Sequence, residues 1–150
     1  MTISEYITKI QSRYKRGDAT EHTYRGDLQQ LIESTIPDVK ATNEPKRQSC
    51  GAPDYIVTKK DIPIGFIETK DIGDEELEGK NKSGNKEQFD RYKASLENLI
   101  FSDYLNFCLY QNGILAYKIA IGELTSCGIK ALPENYDQFV NMLKYFCKFK

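Results

Sequence analysis

The chain has 150 residues, 39% of them hydrophobic and 29% charged, with a net charge of −1 at pH 7. That length allows one domain with a real core and excludes two large ones. The near-neutral balance excludes a module that grips nucleic acid by bulk positive charge, so any such contact must come from local basic clusters or from another part of a larger protein.

No apolar run approaches the roughly 18 residues of a membrane helix, and residues 1–5 lack the basic-then-apolar pattern of a secretory leader. The expected setting is therefore the cytoplasm, without a membrane partner. Cys50, Cys108, Cys127 and Cys147 are widely spaced and form no CxxC pair, which argues against a zinc knuckle or a redox motif. Cys108 sits in an apolar strand pattern and reads as core.

In chain order, Ile3, Tyr6, Ile7, Ile10 and Tyr14 recur at helical spacing and predict a helix over residues 3–16. A second helix is expected from Thr20, as cap, to about residue 35, with Tyr24, Leu28, Leu31 and Ile32 as its apolar stripe. Glu21 opens that helix, where a carboxylate also suits the helix dipole. Residues 38–44 read as a strand, and residues 45–52 as a polar, basic loop.

Two short runs rich in β-branched and aromatic residues follow, 55–58 and 64–67, separated by turn formers, and predict a β-hairpin. With a three-residue loop, Lys59 faces Pro63, paired positions sum to 122, and Asp54 falls opposite Glu68. Lys70 then projects from the same face as Glu68, because side chains alternate with period two. Residues 71–86 combine glycines with charge runs and read as a solvated loop.

A helix is expected over about 85–98, with Phe89, Tyr92, Leu96, Leu99 and Ile100 on one face and Gln88 one turn before Tyr92. Residues 103–110 read as a strand, Gln111-Asn112-Gly113 as a tight turn, and 114–122 as a further strand. A last helix covers the region from Pro133 to the C-terminus. The resulting order is αβββαβ, an α/β sandwich with a central mixed sheet. It is one domain over 1–150, with a core at about 20–121 and the helices at 3–16 and 134–148 as additions.

Two carboxylates and an ammonium at one end of an apolar hairpin admit two readings. One is a cross-strand salt bridge, worth about 0.2–1 kcal/mol. The other is a divalent-cation site, because Mg²⁺ takes one or two carboxylates together with waters and phosphates. In the second case the lysine orients an attacking water. A cysteine hydrolase pairing Cys50 with His22 is a distant third, since no orienting or oxyanion motif accompanies them.

Pro53-Asp54, then Glu68-Thr69-Lys70, then Gln88-Phe89-Asp90-Arg91-Tyr92 resembles the PD-(D/E)xK nuclease superfamily with its QxxxY helix signature. Thr20-Glu21-His22-Thr23-Tyr24-Arg25 and Asn98-Leu99-Ile100-Phe101-Ser102-Asp103-Tyr104 further resemble the N-terminal endonuclease domain of fused restriction–modification enzymes. The resemblance implies a restriction-endonuclease-like fold and Mg²⁺-dependent cleavage of DNA, with Mn²⁺ able to substitute. It implies that Asp54 and Glu68 hold the metal with the Thr69 carbonyl, and that Lys70 positions water. Gln88 and Tyr92 support the site from the helix, and Glu21 adds an acid from the first core helix, with Glu33 as its competitor. Methyltransferase and target-recognition domains in a longer chain, and a dimer for double-strand cleavage, are the implied partners. The alternative is a non-catalytic nucleic-acid-binding or scaffolding module of the same fold.

Overall fold

Thr2 begins the first helix by closing a reciprocal cap. Its hydroxyl accepts from the Glu5 N–H at 3.1 Å, while the Glu5 carboxylate accepts from the Thr2 N–H at 3.2 Å. This is read from a computed structural model that describes residues 1–17, 21–43, 53–73 and 96–148, and of Glu21 and His22 only the backbone. Helix α1 (Ile3–Arg16) buries Tyr6, Ile7 and Ile10 and ends at Gly17, which takes φ 72°. Helix α2 (Glu21–Thr35) buries Leu28, Leu31 and Ile32 and is tied to α1 by the Arg13–Asp27 ion pair. Both helices lie where the apolar spacing places them.

Strands β1 (Val39–Asn43), β2 (Tyr55–Lys59), β3 (Ile62–Thr69), β4 (Asn98–Ser102), β5 (Asn106–Gln111) and β6 (Ile114–Ala120) form one sheet in sequence order. Neighbours are antiparallel except β3 and β4, which are parallel. A parallel pair needs a crossover connection. That connection runs through residues 74–95, outside the described residues, as do Gln88 and Tyr92 and most of the helix expected there.

Its predicted C-terminal end is corrected: Asn98–Ser102 is strand β4, buried at all five positions. Leu96, Leu99 and Ile100 mimic a helical stripe. A strand covered on both faces is apolar throughout, so its spacing carries no period of two. The structure also breaks the expected strand over 114–122 at Ile121 and adds a short hairpin, β7 (Gly122–Thr125) with β8 (Gly128–Ala131). This hairpin lies against α1, where Gln11 donates to the Ile129 carbonyl at 3.0 Å. Asn112-Gly113 makes the expected tight turn, with φ 53° and 81°. A 3₁₀ turn (Pro133–Asn135) leads into helix α3 (Tyr136–Cys147).

The main core joins α1, α2 and α3 to one sheet face and includes Tyr55, Val57, Ile67, Ile100, Phe107 and Phe139. A smaller cluster of Leu96, Leu99, Phe101, Cys108 and Tyr110, with Phe66 beside it, occupies the other face, so Cys108 is core as expected. Among the described residues no helix is long and apolar enough to cross a membrane.

Candidate metal centre at the end of the central hairpin

The β2–β3 hairpin turns on Lys60 and Asp61, both left-handed at φ 50° and 68°, and Lys59 pairs with Ile62. The expected three-residue loop is thus a two-residue loop, which alone would set Asp54 opposite Ile67. Ile64 is an extra residue bulged between the Thr58–Pro63 and Val57–Gly65 pairs, and it shifts the register by one. From Val57 onward paired positions sum to 122, so extending the Tyr55–Ile67 pairing by one position brings Asp54 beside Glu68. The bulge carbonyl accepts from the Asn98 side chain at 2.8 Å.

Asp54 is nearly saturated with donors. Oδ1 accepts from Arg25 Nη2 at 2.5 Å. Oδ2 accepts from both the Thr69 N–H and the Thr69 hydroxyl, each at 2.7 Å. A carboxylate offers about four acceptor sites, three of them used here, and the Glu68 carboxyl lies within hydrogen-bonding reach of Asp54. Burial, then the hydrogen bond to Asp54 and its charge, push the Glu68 carboxyl up to about 9, against the pull of Lys70. At neutral pH the Glu68 carboxyl therefore keeps its proton.

This donor set fits a hard divalent cation. Two adjacent carboxyls are hard oxygen donors of the kind such a cation takes, and a cation bound there would have to displace the Glu68 proton. Among the described residues no group of three His, Cys, Asp or Glu side chains converges, so these residues offer a cation two acids. Lys70 follows β3, donates its N–H to the Ser102 carbonyl at 2.8 Å, and acts electrostatically on Glu68.

Thr69 enters through groups the sequence did not single out. Its N–H and hydroxyl grip Asp54, and its hydroxyl in turn accepts from Tyr104 at 3.2 Å. Arg25 was also unforeseen as a site residue, although it closes the Thr20–Arg25 segment. It is 8% exposed, and its carbonyl accepts from the Tyr55 hydroxyl at 2.7 Å. Glu21 stands on α2 one turn before Arg25, with its side chain outside the described residues. Glu33 is not brought to the acids. Its carboxylate accepts from the Ala41 N–H at 3.0 Å, beside Val57 in the sheet. Gln88, Tyr92, Cys50 and the His22 side chain lie outside the described residues.

No protein-family model matches the chain, and no curated protein matches it. Among solved structures it is similar to a cryo-EM structure of a DrdV–DNA complex, with a TM-score of 0.66 at 20% identity, over 99% of this chain and 14% of that one. The likeness establishes the fold. The six-stranded mixed sheet flanked by helices is restriction-endonuclease-like, as the resemblance implies. The chain spans 14% of the length of the chain it matches.

Proposed function

We propose that the chain is a metal-dependent DNA endonuclease domain of the PD-(D/E)xK kind, the cleavage module of a longer restriction–modification enzyme. The observation that carries this reading is the Asp54–Glu68 pair, two carboxyls set side by side at a sheet end by the hairpin register, with Arg25 on Asp54 and Lys70 two residues beyond Glu68. Lys70 and Arg25 place two positive charges beside these acids, and a phosphate backbone is attracted to positive charge. DNA as substrate draws support from the DNA bound in the structural neighbour, and a longer chain from the share of that neighbour matched.

Asp54 and Glu68 would hold Mg²⁺, or Mn²⁺ in its place, with the Thr69 carbonyl as a further ligand. When bound, the cation supplies Lewis acidity toward water and phosphate. Asp54 stays oriented by Arg25 and Thr69. The Lys70 ammonium orients the attacking water and offsets charge that develops on the phosphate oxygens. Gln88 and Tyr92, which lie outside the described residues, and Glu21, of which only the backbone is described, are read as completing the site. No side chain forms a bond to the DNA, so catalysis rests on positioning and electrostatics. One such centre cuts one strand per visit, so double-strand cleavage takes two copies.

The same Arg25–Asp54 contact favours a second reading, a non-catalytic DNA-binding or scaffolding module of this fold, because it occupies Asp54 with an arginine instead of leaving it open to a cation. Nicking of supercoiled plasmid with Mg²⁺ or Mn²⁺ separates the two. Under the endonuclease reading the wild-type chain nicks, Lys70→Ala binds Mn²⁺ but does not cut, and Asp54→Ala does neither. Cutting by Asp54→Ala at the wild-type rate rejects the site.

A further inference from the structure

Tyr104 occupies the bend between β4 and β5 with φ 76°, a left-handed conformation that a bulky aromatic residue rarely adopts. The bend itself does not require tyrosine, since asparagine and glycine take up such conformations more readily, as Asn112 and Gly113 do at the next turn. What is specific to Tyr104 is how completely it is held. Its N–H donates to Ser102 Oγ at 2.9 Å, and its carbonyl accepts from the Tyr6 hydroxyl at 2.7 Å. Its ring lies 5.3 Å from that of Tyr24, and the residue is 3% exposed.

Its hydroxyl donates to Thr69 Oγ1 at 3.2 Å. The Thr69 hydroxyl has a single proton, and it goes to Asp54 Oδ2 at 2.7 Å. By donating into that oxygen, Tyr104 leaves the threonine proton directed at Asp54 and strengthens the bond it makes. With Arg25 on Oδ1 and Thr69 on Oδ2, the carboxylate is held in the orientation that sets it beside Glu68.

We infer that Tyr104 is a positioning residue for the acid pair: through the Thr69 hydroxyl it aims the Asp54 carboxylate at the place it shares with Glu68. The inference rests on the reading of that place as a cation site. Tyr104 acts at one remove and touches neither cation nor DNA.

Tyr104→Phe keeps the ring, the bend and the packing on Tyr24 while deleting the hydroxyl. Thr69→Val deletes the next hydroxyl and keeps the backbone N–H and carbonyl. Mn²⁺ binding to the full chain is measured by calorimetry for the wild type, both single variants, the double variant and Asp54→Ala, with thermal melting as the check on folding. Tyr104→Phe is expected to melt within a few degrees of the wild type and to weaken Mn²⁺ binding about tenfold, the lower end of what outer-shell partners cost. The double variant is expected to bind no more weakly than Thr69→Val alone, because both deletions break one relay. Wild-type affinity in Tyr104→Phe, or losses that simply add, overturns the inference. A wild-type chain that takes up no Mn²⁺ removes the cation-site reading and this inference with it. Binding lost in Asp54→Ala but intact in Tyr104→Phe removes this inference alone.

Discussion

Arg25 and Asp54 form a largely buried ion pair, Nη2 to Oδ1 at 2.5 Å, with side chains 10% and 14% exposed. Arg25 is pinned at both ends, since its carbonyl accepts from the hydroxyl of Tyr55, the residue next to Asp54. Burial pushes that phenol far up, so it remains a donor throughout the physiological range. Two adjacent residues of the hairpin thus hold one residue of α2, and the helix is fixed relative to the acids.

Arg25→Met is therefore expected to cost about 3 kcal/mol in metal-free buffer, because it leaves a buried carboxylate without its counter-charge. Urea denaturation measures it. Mn²⁺ should restore part of the loss, since a cation bound only by the folded chain stabilises it and supplies the missing positive charge. An unchanged denaturation midpoint would show that Asp54 does not depend on the arginine.

The Asn98 side chain supports the register on which the site depends. Nδ2 donates to the carbonyls of Ile64 and Phe146, each at 2.8 Å, and Oδ1 accepts from Gln111 at 3.1 Å, at a position 2% exposed. Asn98→Leu removes the donors from two carbonyls, one of them the bulge that sets Asp54 beside Glu68. About 2–4 kcal/mol of stability should be lost, with weaker Mn²⁺ binding among the molecules that stay folded. Denaturation and calorimetry on the same variant read the two effects separately.

The Asp54–Glu68 pairing could be read from the sequence, but for an incomplete reason. A three-residue loop and a two-residue loop followed by a bulge give the same register beyond Val57. Nothing in residues 55–67 distinguishes them, because the bulge depends on an asparagine in a strand more than thirty residues later. Helices α1 and α2 were legible because the apolar residues that each buries recur at helical spacing. Strand β4 was not, because burial on both faces erases its periodicity. Arg25 and Tyr104 could be seen as parts of motifs. That they reach Asp54 and Thr69 is a product of tertiary packing, which no local pattern encodes.

Gly65 faces the same junction from β3. A Cβ there would lie 2.5 Å from Phe146 Cζ and 2.8 Å from Asn98 Nδ2, and both of those side chains are buried. Gly65→Ala should destabilise the fold by about 1–3 kcal/mol through overpacking, read as a lower melting temperature. Adding Phe146→Leu should recover part of it, since the ring is the first atom group the new methyl meets. A melting temperature equal to wild type in the single variant would mean that α3 can shift at no cost.

Glu68 carries the pH dependence. Its carboxyl is raised from an ordinary value near 4.5 to about 9, chiefly by burial and then by Asp54. Between those two values the folded chain holds a proton that the unfolded chain has released, so stability falls as pH rises through that window. In chelator the melting temperature should therefore be highest at about pH 5 and decline toward pH 9. Mn²⁺ must displace that proton. Calorimetry at pH 7 in buffers of different ionisation enthalpy should show close to one proton released per Mn²⁺, with affinity rising about tenfold per pH unit below 9. Glu68→Gln keeps a donor toward Asp54 but cannot titrate. It should flatten the pH profile, exceed the wild type in stability at pH 9, and lose the Mn²⁺ response. Binding without proton release at pH 7 would mean that Glu68 is already ionised, and the acid pair would then be two separate carboxylates.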